Sequence, residues 1–201
     1  MHKFILTCVL LFILTQAYCQ QKIVLLNGKE IEIKSFVVRT EQITFKKIVN
    51  GKEKKRSVDR FRVFSIVNPD STEQMIYEPD TFYDMTIDQM RLFIQGEQAA
   101  MKYYRKPGNV IGGFLSGVVG SYFTFYGLPV PLLYGTVMGR ISPKVRLPDD
   151  AIYPDQKTEE FREGYKRKGR DIKTRQTVFA GLVGFALSVT FLSLYEGNVK
   201  F

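Results

Sequence analysis

Two stretches without a charged side chain constrain this chain most. Residues 107–139 run for 33 positions, and residues 176–195 for 20, with no Asp, Glu, Lys or Arg. About 20 apolar residues in helical form cover the ~30 Å of a bilayer's hydrocarbon core. The second stretch matches that length. Its core, residues 177–195, lies between Arg175 and Glu196 and reads as a transmembrane helix. The first stretch is too long for one ordinary span and too short for two spans with a turn. Residues 109–126 suffice for one crossing. Gly127-Leu128-Pro129-Val130-Pro131 then breaks the helix, so residues 128–139 either lie at the interface or complete a short hairpin that returns to the same side. A water-soluble bundle with both stretches as core helices is the alternative.

Both stretches are rich in small residues at one-turn spacing. Gly112, Gly113, Gly117 and Gly120 recur in the first, Gly181 and Gly184 in the second. In water each glycine costs a helix about 1 kcal/mol relative to alanine. In lipid, small residues let helices approach closely, which marks these six as candidate helix-association positions. Tyr122, Phe123, Phe125 and Tyr126 gather at one end, as an interfacial aromatic belt would. With no ionisable residue inside either stretch, nothing there suggests a proton relay or an ion-coupled carrier.

The N-terminus reads as an address. A basic start at His2-Lys3, an apolar run over residues 4–14 and the small-residue pattern Ala17-Tyr18-Cys19 describe a secretory signal peptide over residues 1–19. An uncleaved anchor and a lipidated Cys19 are the other readings. His2 is the only histidine, and Cys8 and Cys19 are the only cysteines. A processed chain therefore offers no Cys/His zinc site, no Ser-His-Asp triad, no thiol nucleophile and no disulfide. Asp149-Asp150 and Glu159-Glu160 are adjacent carboxylates, which do not face each other on a helix. No Gly-rich phosphate loop with its lysine occurs. The sequence thus points to no enzyme and no cofactor.

Residues 20–82 carry strand signals. Asn27-Gly28 separates the apolar run Ile23–Leu26 from the alternating Glu30-Ile31-Glu32-Ile33, and Asn50-Gly51 makes a second hairpin turn. Phe36-Val37-Val38 continues the second strand. Ile43 and Phe45 alternate in a third, and residues 63–67 form a mostly apolar strand. Five or six short strands with tight turns predict a small SH3-like or Sm-like β-barrel, because closure hides strand edges. The run Lys52-Glu53-Lys54-Lys55-Arg56 reads as a solvated edge. Residues 20–107 carry 16 basic against 12 acidic side chains, without interleaved aromatics for base stacking, so nucleic acid is not an expected partner.

Thr86-Ile87-Asp88-Gln89 has the form of a helix-capping box and opens an amphipathic linker helix within 83–107. That helix packs on the barrel or lies on lipid. Residues 140–176 hold 11 basic and 7 acidic side chains. Lys166, Arg167, Lys168, Arg170, Lys173 and Arg175 crowd against the second stretch. They are candidate contacts for anionic lipid, the alternative being a solvated helix face. Short basic loops stay cytoplasmic. The pattern therefore predicts an external β-module, an inward first span, a cytoplasmic loop over 140–176, an outward second span and a short tail over 196–201.

The chain is accordingly expected to be α+β, with a small β-barrel, an amphipathic helix and two glycine-rich transmembrane helices. Its layout resembles that of uncharacterised bacterial envelope proteins with a signal peptide, a small β-module and a hydrophobic C-terminal region. Its glycine spacing resembles glycine-zipper membrane segments. The resemblance implies a bacterial membrane, the inner one, with the N-terminal domain extracytoplasmic. The expected function is a non-enzymatic membrane-anchored envelope protein whose β-module binds a partner or surface polymer. The alternative is an oligomeric channel or membrane-assembly component. Expected partners are membrane lipids and either a protein or further copies of the chain.

Overall fold

The computed structural model describes residues 21–80, 84–148 and 153–198. The signal-peptide reading of residues 1–19 lies outside these, as do Asp149-Asp150 and the last three residues of the tail. The chain divides into two compact units after Arg91.

Among the described residues the first unit holds seven strands. β1 (Gln21–Leu25) pairs antiparallel with β2 (Glu30–Ile33) across the Asn27-Gly28 turn, setting Ile23 opposite Ile31. Gly28 takes φ +73, and the Asn27 side-chain oxygen accepts the Lys29 N–H at 3.2 Å. β1 also pairs with β6 (Val63–Val67), and β6 with β7 (Glu73–Met75). β3 (Ser35–Val38), β4 (Gln42–Val49) and β5 (Lys52–Asp59) form a second sheet. Ile23, Leu25, Ile33, Val63 and Ile66 from the first sheet meet Ile43 and Phe45 from the second in one core.

The expected closed barrel does not form: the described strands make a four-stranded sheet and a separate three-stranded one. Two features keep them apart. Phe36-Val37-Val38 does not continue β2, because the chain bends at Lys34, whose N–H donates to the Lys46 carbonyl and turns the backbone into the second sheet. At the far edge, Lys52 to Ser57 are all exposed, so β5 has no apolar face along most of its length. Curling this edge over the core would bury lysines without partners, at a cost no short strand recovers. Glu53 holds Lys34 and Lys46 from the solvent side, and those two ammonium groups keep its carboxylate below the ordinary range.

Asn50 (φ +53) and Gly51 (φ +72) close the β4–β5 hairpin with both central residues in the left-handed region, the form that matches strand twist. A β-branched side chain tolerates that φ poorly. Gly51→Val is expected to destabilise the first unit by about 1–2 kcal/mol, read as a lowered thermal midpoint of the full chain. An unchanged midpoint would mean the turn does not hold the hairpin.

α1 (Ile87–Tyr103) starts on the capping box: the Gln89 side-chain oxygen accepts the Thr86 N–H at 3.0 Å, and the Thr86 hydroxyl accepts the Gln89 N–H at 3.4 Å. In the second unit follow α2 (Pro107–Ser121), a 3-10 turn (Thr124–Gly127), α3 (Pro129–Arg140) and α4 (Glu159–Asn198). The expected pair of transmembrane helices is corrected here. Among the described residues only α4 is long and apolar enough to cross a bilayer. α2 has 15 residues, so it rises about 22 Å before the chain turns. α2 already ends at Ser121, the 3-10 turn Thr124–Gly127 follows, and Pro129 and Pro131 lie in the first turn of α3, so residues 107–140 become a helical hairpin.

Candidate functional site

The hairpin packs on the C-terminal half of α4 through glycines. Gly113 lies against the Thr177 backbone, Gly117 against the Gly181 carbonyl and the Phe185 N–H, and Gly184 against the Phe114 backbone. α2 and α4 therefore run parallel. On α3, Pro131 meets Gly181, Gly135 meets Val178 and Gly139 meets Thr174, so α3 runs antiparallel to α4. Gly120 closes the turn against Gly127, and Gly112 lies beside the Tyr134 hydroxyl. The structure thus gathers Gly113, Gly117, Gly181 and Gly184 at the α2–α4 contact and places Gly112 and Gly120 within the hairpin. Sequence reasoning did not single out Gly135 and Gly139, although their one-turn spacing on an apolar helix was legible.

With backbones this close, the bulky side chains turn outward. Ile111, Leu115, Leu133, Val137, Phe179, Leu187 and Phe191 are all more than half exposed. Only 22% of the apolar window of α4 is buried. A water-soluble bundle puts such residues inside, and exposed apolar patches of this extent mark a partner or a membrane.

The N-terminal half of α4 is built differently. It packs on α1 through a reciprocal glycine contact, Gly96 against the Phe161 carbonyl and Gly164 against the Phe93 carbonyl. Ala99, Ala100, Tyr104, Phe161 and Tyr165 form a second core, and the Tyr165 hydroxyl donates to the Arg146 carbonyl at 3.2 Å. Inside this contact sits Glu97, 2% exposed. One carboxylate oxygen is 4.0 Å from Arg167 Nε and the other has no hydrogen-bond partner. Burial raises its proton affinity above the ordinary carboxylate value. Lys168 and Arg167 oppose that shift, and Asp171 adds to it.

The six basic residues do not share one face. Arg167 lies 5.6 Å from the centroid of the Phe93 ring, beside Glu97. Lys173 is 6% exposed and donates to the Ile141 carbonyl at 3.5 Å, at the C-terminal end of α3. Arg175 is exposed, and Lys166, Lys168 and Arg170 are half-buried. Among the described residues no cluster of three His, Cys, Asp or Glu is placed to hold a metal.

In the first unit, Phe61 projects from the 3-10 turn Arg60–Arg62 at 78% exposure. It borders a hollow lined by Thr40, Arg60, Tyr77, Asp80 and Asp84. The Tyr77 hydroxyl donates to the Met85 carbonyl at 2.8 Å, and burial with Asp84 and Asp80 nearby raises its proton affinity.

No protein-family model, no curated protein and no solved structure matches this chain. The functional reading therefore rests on these arrangements alone.

Proposed function

We propose that this chain is a non-enzymatic, membrane-anchored envelope protein: its glycine-packed helices sit in lipid, and its β-module is presented in water to a partner. The observation that carries this reading is the inversion of the second unit, with glycine backbones inside and Leu, Ile, Val and Phe outside. Lipid is a solvent in which that arrangement costs nothing, because small residues drive helix contact there and apolar side chains need no burial. The exposed Phe61 beside its hollow is the feature of the β-module best suited to a partner. The oligomeric-channel reading is weaker, since the glycine faces that would bring copies together are occupied within one chain.

Fractionation tests the reading. The full chain is expected in the membrane pellet, resistant to high-pH carbonate and released by detergent. Recovery as a monodisperse protein in detergent-free buffer would overturn it.

A further inference from the structure

Resting on that membrane reading, we infer that the α2–α3 hairpin enters and leaves the bilayer at one face, the face carrying the basic half of α4, and that α4 alone crosses. The observation is the common level at which α2 begins, α3 ends and the charge-free part of α4 begins. Tyr104 lies beside Gly169, Gly113 beside Thr177 and Gly139 beside Thr174. These contacts set the start of α2, the end of α3 and residues 173–177 of α4 at the same end of the bundle. Lys106, Arg140, Lys173 and Arg175 come from three separate segments and mark that end, with the Lys173 ammonium reaching the Ile141 carbonyl. Beyond it no charge appears on α2, on α3 or on α4 as far as Tyr195. The opposite end of the hairpin, residues 121–128, is uncharged and exposes Tyr122 at 74% and Tyr126 at 91%.

Lengths agree with this insertion. α3 has 12 residues and rises about 18 Å, and α2 about 22 Å, so neither crosses ~30 Å of hydrocarbon. The charge-free part of α4, residues 176–195, rises about 30 Å and does. The partner of the charged end is a headgroup layer containing anionic phospholipid, which the exposed Lys106, Arg140 and Arg175 bordering an apolar body complement. Of the two arrangements the sequence left open, the alternating one places residues 140–176 opposite residues 92–107, and the hairpin brings both to one side. Here both emerge at one face.

Cysteine accessibility decides it. Met101→Cys and Gln156→Cys are made singly in the full chain, with Lys144→Cys as a second position in the same segment. Sealed membrane vesicles are treated with a membrane-impermeant thiol reagent before and after detergent, and the unaltered chain reports any signal from Cys8 and Cys19. All three positions are expected to behave alike, labelled before detergent or protected until it is added. Labelling of Met101→Cys on one side, with Gln156→Cys and Lys144→Cys protected, or the reverse, would overturn the inference and leave the membrane reading standing. A chain recovered in the detergent-free soluble fraction would overturn both.

Discussion

Replacing Gly117 with leucine is expected to abolish the packing of the hairpin on α4. A Cβ at position 117 would fall on the Gly181 carbonyl oxygen and come within 2.6 Å of the Phe185 nitrogen. Both obstacles are backbone, so no rotamer relieves them and the helices must separate. Overpacking a close contact costs about 1–3 kcal/mol where side chains can adjust, and more where backbone must move. Alanine at 117 already carries the clashing carbon and is expected at or above the upper figure, with leucine costing more still. Gly108→Ala is the control, since nothing lies within 4 Å of its added carbon. Thermal unfolding followed by circular dichroism in detergent micelles, with protease resistance of the second unit, reads the difference. A Gly117→Leu chain with the unaltered midpoint would mean that the hairpin does not pack through Gly117.

The second large effect is expected at Glu97. Its folded-state proton affinity is raised above the ordinary value of 4.5, chiefly by burial, with Asp171 adding and Lys168 and Arg167 opposing. Just above the ordinary carboxylate range the folded chain therefore holds a proton that the unfolded chain has lost. Stability is highest below that range, falls as pH rises through the window between the two values, and levels off beyond the folded-state value. Glu97→Gln removes the charge while keeping shape and hydrogen-bonding capacity. It is expected to flatten this slope and raise stability at neutral pH by about 1 kcal/mol. Glu97→Lys buries a cation beside Arg167 and Lys168 and is expected to cost about 3–5 kcal/mol. Denaturation midpoints across mildly acidic to mildly alkaline buffers check both. A Glu97→Gln chain that keeps the unaltered pH slope would show that another group carries it.

Much of the local structure was legible. The Asn-Gly pairs at 27–28 and 50–51 mark hairpins because both residues accept positive φ, and the Thr86–Gln89 spacing marks a helix start. A break was legible too, because glycine and proline at 127–131 interrupt a helix, but it comes earlier than expected, since α2 ends at Ser121. Part of what was missed also left a trace. Phe93, Glu97, Ala100 and Tyr104 recur at helical spacing, so a carboxylate sits on the buried stripe of α1 in plain view of the sequence. The segment 52–57 has no apolar alternation, which already argued against a strand wrapped around a core. The barrel expectation followed from the number of short strands, their tight turns and the need to hide strand edges. Strand count does not fix how sheets join, since that depends on bends such as the one at Lys34 and on pairings between residues far apart in the chain.

By itself the sequence determined which segments avoid charge, where the chain must turn, and which small residues allow backbones to touch. These are properties of single residues and their near neighbours. Only the tertiary structure decided that the glycine faces close on one another within one chain, that α2 and α3 return to the end where they began, and that Glu97 lies enclosed between two helices. Each depends on which distant backbone atoms come together, and in an apolar stretch many pairings satisfy the same local pattern.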